Sequence, residues 1–202
     1  MENVALQNLV SSGHVSDPES PRGRLLLKAA RLFREKGYER TTVRDLAAAV
    51  GIQSGSIFHH FRTKEDILKA VMQETIQLIT ARMQAAVDIE RDPVAQLRAL
   101  VRCELESVNG ETGEAMAVLV YEWRSLSPDN RAEILVMRDH YEGLWLSALE
   151  GVKAAGKLET QPSVARRLLT GALSWTSTWY RPDGRMTLDD LTEQVMLMLK
   201  LA

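Results

Sequence analysis

The stretch from Thr42 to Lys64 carries side chains suited to recognising a polar surface, in a spacing that places them on two short helices joined by a turn. Thr42 stands three residues before Asp45, the spacing at which a hydroxyl caps a backbone N–H while the carboxylate reaches back. Val43, Leu46, Ala47 and Val50 then recur at helical spacing and make one face apolar. Gly51 follows, a residue that tolerates the positive φ of a helix end, and Ile52 is placed to plug the core between the two helices. The next helix, expected over about 53–60, opens on Gln53, Ser54, Gly55 and Ser56, side chains small enough to let a helix N-terminus approach another backbone closely. Ile57 and Phe61 lie four apart and face inward. Thr63 and Asp66 repeat the capping spacing and open a third helix at Lys64. This is the pattern of a helix-turn-helix reader of duplex DNA.

Two helices within twenty residues are too short to stand alone. The preceding segment supplies what they need: Leu25, Leu26, Ala29, Ala30, Leu32 and Phe33 form an apolar stripe, and Gly37 ends it.

Residues 22–70 closely resemble the TetR family of one-component repressors. The resemblance rests on Thr42, Leu46, Ala47, Gly51, Ile52, Gly55, Ser56, Phe58, His59, His60, Phe61 and Lys64. It implies an all-α protein of about nine helices. An N-terminal three-helix DNA-binding domain (21–68) would follow a flexible arm (1–20) and precede a helical ligand-binding and dimerisation domain (69–202). It also implies roles. Arg44, in the first turn of its helix, is where the family can place a base-reading or phosphate-binding side chain, and a bidentate Arg–guanine contact is worth about 1–3 kcal/mol of discrimination. Ser54, Gly55 and Ser56 would face the major groove. Thr42, His59, His60 and Lys64 would sit on phosphates, which position without specifying. Phe58 departs from the family, which commonly has Tyr there with its hydroxyl on a phosphate. The two histidines, adjacent on a helix, point about 100° apart and make a poor metal pair.

Charge agrees with a nucleic-acid partner. Residues 22–69 hold 11 Lys/Arg and 5 Asp/Glu, a net of +6 in a chain whose total is -2, which leaves an acidic remainder. Phosphate neutralisation by such a surface makes binding salt-dependent.

The rest of the chain narrows the class. One cysteine, Cys103, allows no internal disulfide and suits a reducing cytoplasm. No run of eighteen apolar residues suggests a membrane span, and the start lacks the basic region of a secretory signal. Glycine-rich phosphate loops, nucleophile elbows and metal-ligand spacings are missing, and Glu104 and Glu106, two apart, diverge on a helix. No enzyme, cofactor or metal is therefore expected.

After Lys64 everything reads helical: about 64–88, 92–108, 114–125, 128–155, 163–180 and 188–201, with Gly and Pro punctuating the joints. By the resemblance, the last two helices pair with those of a second copy, and a symmetric dimer suits a palindromic DNA operator. The apolar, adaptable side chains Met116, Leu119, Trp123, Met137, Tyr141, Trp145 and Trp175 are candidates to line a site for a small hydrophobic effector. The segment from Trp175 to Gly184, with its Trp-Tyr-Arg-Pro-x-Gly run, is similar to the C-terminal segment of family members that regulate fatty-acid and steroid breakdown, several of which respond to acyl-CoA thioesters. Thr178 stands where relatives often carry Arg. A different hydrophobic or aromatic effector, or none, is the alternative.

Overall fold

The computed structural model describes residues 2–201, with side chains described from Ala5 onward. All regular elements among the described residues are helical. They are α1 (Glu2–Ser11), α2 (Pro21–Lys36), α3 (Val43–Ala49), α4 (Ser54–Ile57), α5 (Lys64–Ile89), α6 (Pro93–Asn109), α7 (Gly113–Tyr121), α8 (Pro128–Ala154), α9 (Pro162–Trp175) and α10 (Leu188–Met198). Single 3₁₀ turns at Trp123–Ser125 and Thr176–Thr178 follow α7 and α9. The all-α expectation holds, with one helix more than expected.

The extra helix is α1. The sequence reading makes residues 1–20 a flexible arm because of its polar, proline-bearing end. Instead the segment carries a helix and a fastened joint: the Ser16 N–H and hydroxyl both donate to the Glu74 carboxylate, at 2.8 and 2.9 Å. Arg22 binds the same carboxylate and lays its guanidinium over the Phe61 ring. Gly23 is required where the arm folds back, since a Cβ there would stand 2.0 Å from the Asp17 carbonyl oxygen.

Helix boundaries elsewhere follow their caps. Ser20, Thr42, Asp92 and Thr187 each accept a backbone N–H two or three residues into the next helix, and Pro21 and Pro93 occupy first-turn positions where no N–H is needed. Capping boxes form at Thr42/Asp45 and Thr187/Asp190, and Thr63 and Asp66 exchange the same pair of bonds. Gly51 ends α3 with φ +72°. Two local expectations fail. α4 is one turn long because the chain leaves the helix at Phe58. Ile52 is 40% exposed rather than a plug, since the turn that hydrogen-bonds its N–H to Ala47 directs the side chain outward.

The chain forms two compact units. The first is Met1–Leu78 with Glu114–Arg138. Its core gathers Leu25, Phe33, Leu46, Ile57, Phe61 and Leu68 with Val118, Leu126 and Ile134 from the later segment. The second is Ile79–Gly113 with Asp139–Ala202, where α6 packs against α9 and α10 and Leu97, Leu100, Leu149, Leu169 and Leu173 are buried.

Leu46 is fully buried and Ile52 is not. Leu46→Ala should cost about 2–5 kcal/mol, whereas Ile52→Ala should stay within about 0.5 kcal/mol. Urea unfolding of the two variants beside the parent checks the contrast; equal losses would mean that Ile52 is a core residue after all.

Candidate nucleic-acid interface

The expected reader residues fall on one continuous stretch, but their side chains are engaged differently. The Thr42 hydroxyl is committed to its cap, donating to Asp45 Oδ2 at 2.8 Å and accepting the Asp45 N–H at 3.1 Å. The Thr42 N–H, donating to Asp45 Oδ2 at 2.9 Å, and after it the Thr42 hydroxyl hold the Asp45 carboxyl below the usual carboxylate range. Arg44, in the first turn of α3, is exposed.

At α4, Ser54 and Ser56 are half-buried and Gly55 is exposed. Nothing lies within 4 Å of where a Gly55 Cβ would stand, and its φ is not in the left-handed region. The fold therefore does not require glycine at that position. What a bare backbone there permits is close approach from outside. Ile57 and Phe61 point into the core as expected. Phe58, His59 and His60 follow in the exposed turn after α4.

Lys64 differs most from its assigned role. Its ammonium donates to the Tyr38 carbonyl at 2.8 Å and sits 4.1 Å from the centre of the Tyr38 ring. The same carbonyl, at the α2–α3 turn, accepts the Thr41 N–H at 3.1 Å, so the ammonium takes the second acceptor position of an oxygen inside the protein. Tyr38 is a joint in other respects. Its N–H donates to Glu122 Oε1 at 3.2 Å, its ring meets Phe33 edge-on at 5.4 Å, and burial pushes its hydroxyl up to about 12. Next to Lys64, the Glu65 carboxylate accepts the Ser127 N–H at 2.7 Å and an Asn130 amide N–H. Sequence reasoning missed Glu65, Glu122, Ser127 and Asn130, since partners more than sixty residues apart carry no periodic signal.

The seven residues expected around an effector divide between the two units. Leu119, Trp123 and Met137 pack on the core of the first unit, and Met116 is buried in that unit too. Tyr141 and Trp145 belong to the second, where Tyr141 donates to Glu104 and accepts from Arg166 at 2.9 Å. Trp175 is 63% exposed. A cavity of about 460 Å³ lies elsewhere in the first unit, lined by His14, Ser16, Arg22, Gln73, Glu74 and Gln77. Cys103 is packed away in the second unit, where burial pushes its thiol up to about 11, as suits an inert core thiol.

On α9, Val164, Leu168 and Trp175 are exposed at spacings of four and seven, and on α10 Leu197 and Met198 are exposed. They form apolar surface on the two helices expected to pair with a second copy. No helix among the described residues is long and apolar enough to cross a membrane. None of their His, Cys, Asp and Glu side chains cluster in a way that could hold a metal.

Comparison with known proteins places this geometry. Residues 25–71 match the family model for bacterial regulatory proteins of the tetR family, and residues 90–201 match that for the tetracyclin repressor-like C-terminal domain. The HTH-type transcriptional repressor KstR2 of Rhodococcus jostii is 33% identical over 178 residues, 87% of each chain. A crystal structure of AibR in complex with isovaleryl coenzyme A and operator DNA superimposes with a TM-score of 0.82 at 26% identity, covering 90% of this chain and 99% of that one. A crystal structure of a protein described as superantigen pfit superimposes with a TM-score of 0.84 at 53% identity, covering 98% of each chain.

Within the first unit, the Asn130 amide first and the Ser127 N–H second lower the Glu65 carboxyl. A carboxyl depressed by folding stabilises above its unfolded pKa, and that contribution is lost as pH falls through the lower folded value. Glu65→Gln should therefore be less stable than the parent at neutral pH, with a gap that closes on acidification through the carboxylate range. Urea midpoints of both proteins along a pH series measure this, and a gap independent of pH would show that the carboxylate charge does not hold the joint.

Proposed function

The chain belongs to the tetR family of bacterial regulatory proteins, and from that premise we propose that it is a dimeric transcriptional repressor. It binds a palindromic operator and is released by a small hydrophobic effector, with acyl-CoA thioesters as the effector class.

The observation that carries the DNA-reading part is Gly55. The fold leaves open space around it, while a residue in a helix normally gains from a methyl group there. Bare backbone at the exposed face of α4 serves an approaching duplex. Arg44, exposed at the start of α3, is assigned to base edges or phosphate, and Ser54, Gly55 and Ser56 to the major groove. Thr42, His59 and His60 are assigned to phosphates. Lys64, held by Tyr38, serves to lock the turn that presents them. Phe58 is exposed but has no hydroxyl, so it contributes van der Waals contact where relatives have a phosphate bond.

The dimer is supported by the exposed apolar face of α9 and α10. A face of that kind on a soluble protein marks an interaction surface, and a twofold pair presents two readers to half-sites about 34–36 Å apart or a multiple of that spacing. The effector part is supported by AibR, whose structure holds isovaleryl coenzyme A and operator DNA. KstR2 of Rhodococcus jostii supports the repressor sign. The neighbour described as a superantigen shares the fold, and fold alone does not fix function. The regulator reading rests on the reader's own residues.

Fluorescence anisotropy on the DNA upstream of its own gene, in a salt series, tests the proposal. The parent should bind selectively, with affinity falling steeply as salt rises. Gly55→Ala should fold at least as stably as the parent, gaining about 0.5–1 kcal/mol from helix preference, and yet bind that DNA more weakly. Arg44→Ala should lose affinity by about 1–3 kcal/mol if the side chain reads a guanine. If both variants bind as the parent does, the face is misassigned. Leu168→Glu should turn a dimer into a monomer on analytical ultracentrifugation; an unchanged dimer would move the interface off α9.

A further inference from the structure

The second unit buries a polar cluster in the interior of a helical body. Arg166 is 3% exposed. Its Nε and Nη2 donate to the two oxygens of Glu142 at 2.9 and 3.2 Å, and Nη2 also donates to the Tyr141 hydroxyl at 2.9 Å. Tyr141 in turn donates to the buried Glu104. The guanidinium carbon lies over the Trp145 ring, 4.3 Å from its centre. Three helices converge here: α6 supplies Glu104, α8 supplies Tyr141, Glu142 and Trp145, and α9 supplies Arg166.

Two atoms of this stacked pair have no partner. Arg166 Nη1 and Trp145 Nε1 are both buried and both unbonded. An unmade hydrogen bond on a buried donor costs about 1–3 kcal/mol, and native interiors seldom leave one, let alone two on adjoining side chains. Both are N–H donors, so what completes them is an acceptor. A water accepting from both would bring two hydrogens of its own into the cluster. A carbonyl oxygen brings two lone pairs and no hydrogen. A carboxylate suits the place less well, since its full negative charge against Arg166 would face Glu142 and Glu104 as well. The Glu142 side chain is 31% exposed, so one edge of the cluster meets solvent while Arg166 and Trp145 lie in the core.

We infer that Arg166 Nη1 and Trp145 Nε1 form the polar anchor of the effector site and take a neutral carbonyl oxygen, that of a thioester or a ketone, whose apolar chain packs in the body. Tyr141, Glu142 and Glu104 are positioning residues that fix the guanidinium. This deepens the proposed effector response and rests on it only for the biological identity of the ligand, because the anchor recognises a carbonyl whichever molecule carries it.

The test compares probes that differ in that one oxygen. Octanoyl-CoA is set against S-octyl-CoA, a thioether without the carbonyl, and 2-nonanone against nonane, with octanoate as the charged acid. Binding is read by calorimetry on the full-length protein and its Trp145→Phe variant. The variant keeps an aromatic ring and lacks the N–H, and its thermal midpoint is measured alongside. The parent should bind octanoyl-CoA or 2-nonanone at least tenfold more tightly than the matching carbonyl-free probe, and octanoate more weakly than the carbonyl form. Trp145→Phe should fold and lose most of that discrimination while holding the carbonyl-free probe as before. The indole N–H signal in a ¹⁵N spectrum that vanishes in the variant should shift when 2-nonanone is added to the parent, a readout that survives even if the variant unfolds. Binding of the ketone but not of the thioester would keep the anchor and overturn the acyl-CoA effector class. Binding of the thioester with equal discrimination in parent and variant would keep the effector class and overturn the anchor. No binding of either carbonyl probe, or an indole signal that stays in place, overturns the anchor as well and leaves water as the acceptor.

Discussion

A single helical turn has no stability of its own. Fixing its backbone costs more than its one or two hydrogen bonds return, so α4, four residues long, exists because something else holds it. That hold is the insertion of Ile57 and Phe61 into the core of the first unit, where both are buried among Leu25, Phe33, Leu46 and Leu68. Arg22 closes the outside by stacking on Phe61 while paired to Glu74. The small residues Ser54, Gly55 and Ser56 are then presented as a fixed surface although their own helix contributes almost nothing to keeping it. A reader built this way separates the two demands on its sequence: the presenting residues are small, and the large apolar residues just after them set the position.

That core is not local. Val118, Leu126 and Ile134 lie in it beside residues from the first seventy-eight, and two polar joints pin the same segment. Glu122 accepts the Tyr38 N–H, and Glu65 accepts Ser127 and Asn130. Each joint touches a place that sets the reader's orientation, the turn before α3 and the first turn of α5. Residues 114–138 therefore belong mechanically to the reader's unit, far as they are from it in sequence. α8 carries Asn130 and Ile134 and, further along the same helix, Tyr141 and Trp145. Continuity of one helix provides a connection; a switch needs in addition two packings between which a ligand discriminates.

What the sequence revealed and what it hid follow from the range of the interactions. Caps, glycine stops and the inward pair Ile57/Phe61 are set by neighbours three or four residues away, and those were legible: Thr42 with Asp45, Thr63 with Asp66, Thr187 with Asp190, Gly51 at positive φ. Ile52 departs from its sequence reading because an apolar residue after a helix stop reads as core, while its orientation depends on how the turn bonds back to Ala47. The fastening of the N-terminal segment is not legible in the sequence because its partner, Glu74, is 58 residues away from Ser16. Lys64 illustrates the limit for function. Its place in the motif suggests a cation for a phosphate, and only the fold reveals a carbonyl and a ring within its reach. Apolar residues at helical spacing are equally ambiguous, since a core and a ligand site ask for the same side chains; Leu119, Trp123 and Met137 pack on the first unit's core.

α9 carries apolar residues on both of its sides. Its inward side buries Ala165, Leu169 and Leu173, and its outward side leaves Val164, Leu168 and Trp175 exposed. A helix apolar on both sides reads as an interior helix, and in one chain α9 is interior on one side only. The same helix also carries the buried Arg166, whose charge is tolerable because Glu142 meets it at two points and an aromatic face covers it. A buried ion pair contributes little net stability compared with apolar packing, so its presence on a helix so rich in apolar residues calls for another reason. Geometry supplies one. A guanidinium fixed at two of its nitrogens by Glu142 and Tyr141 points its third in a defined direction, which an apolar side chain at that position could not do. The cost of burying the charge is offset by that directional hold, and it leaves the outward face of α9, the face proposed to pack between copies, free of the polar cluster.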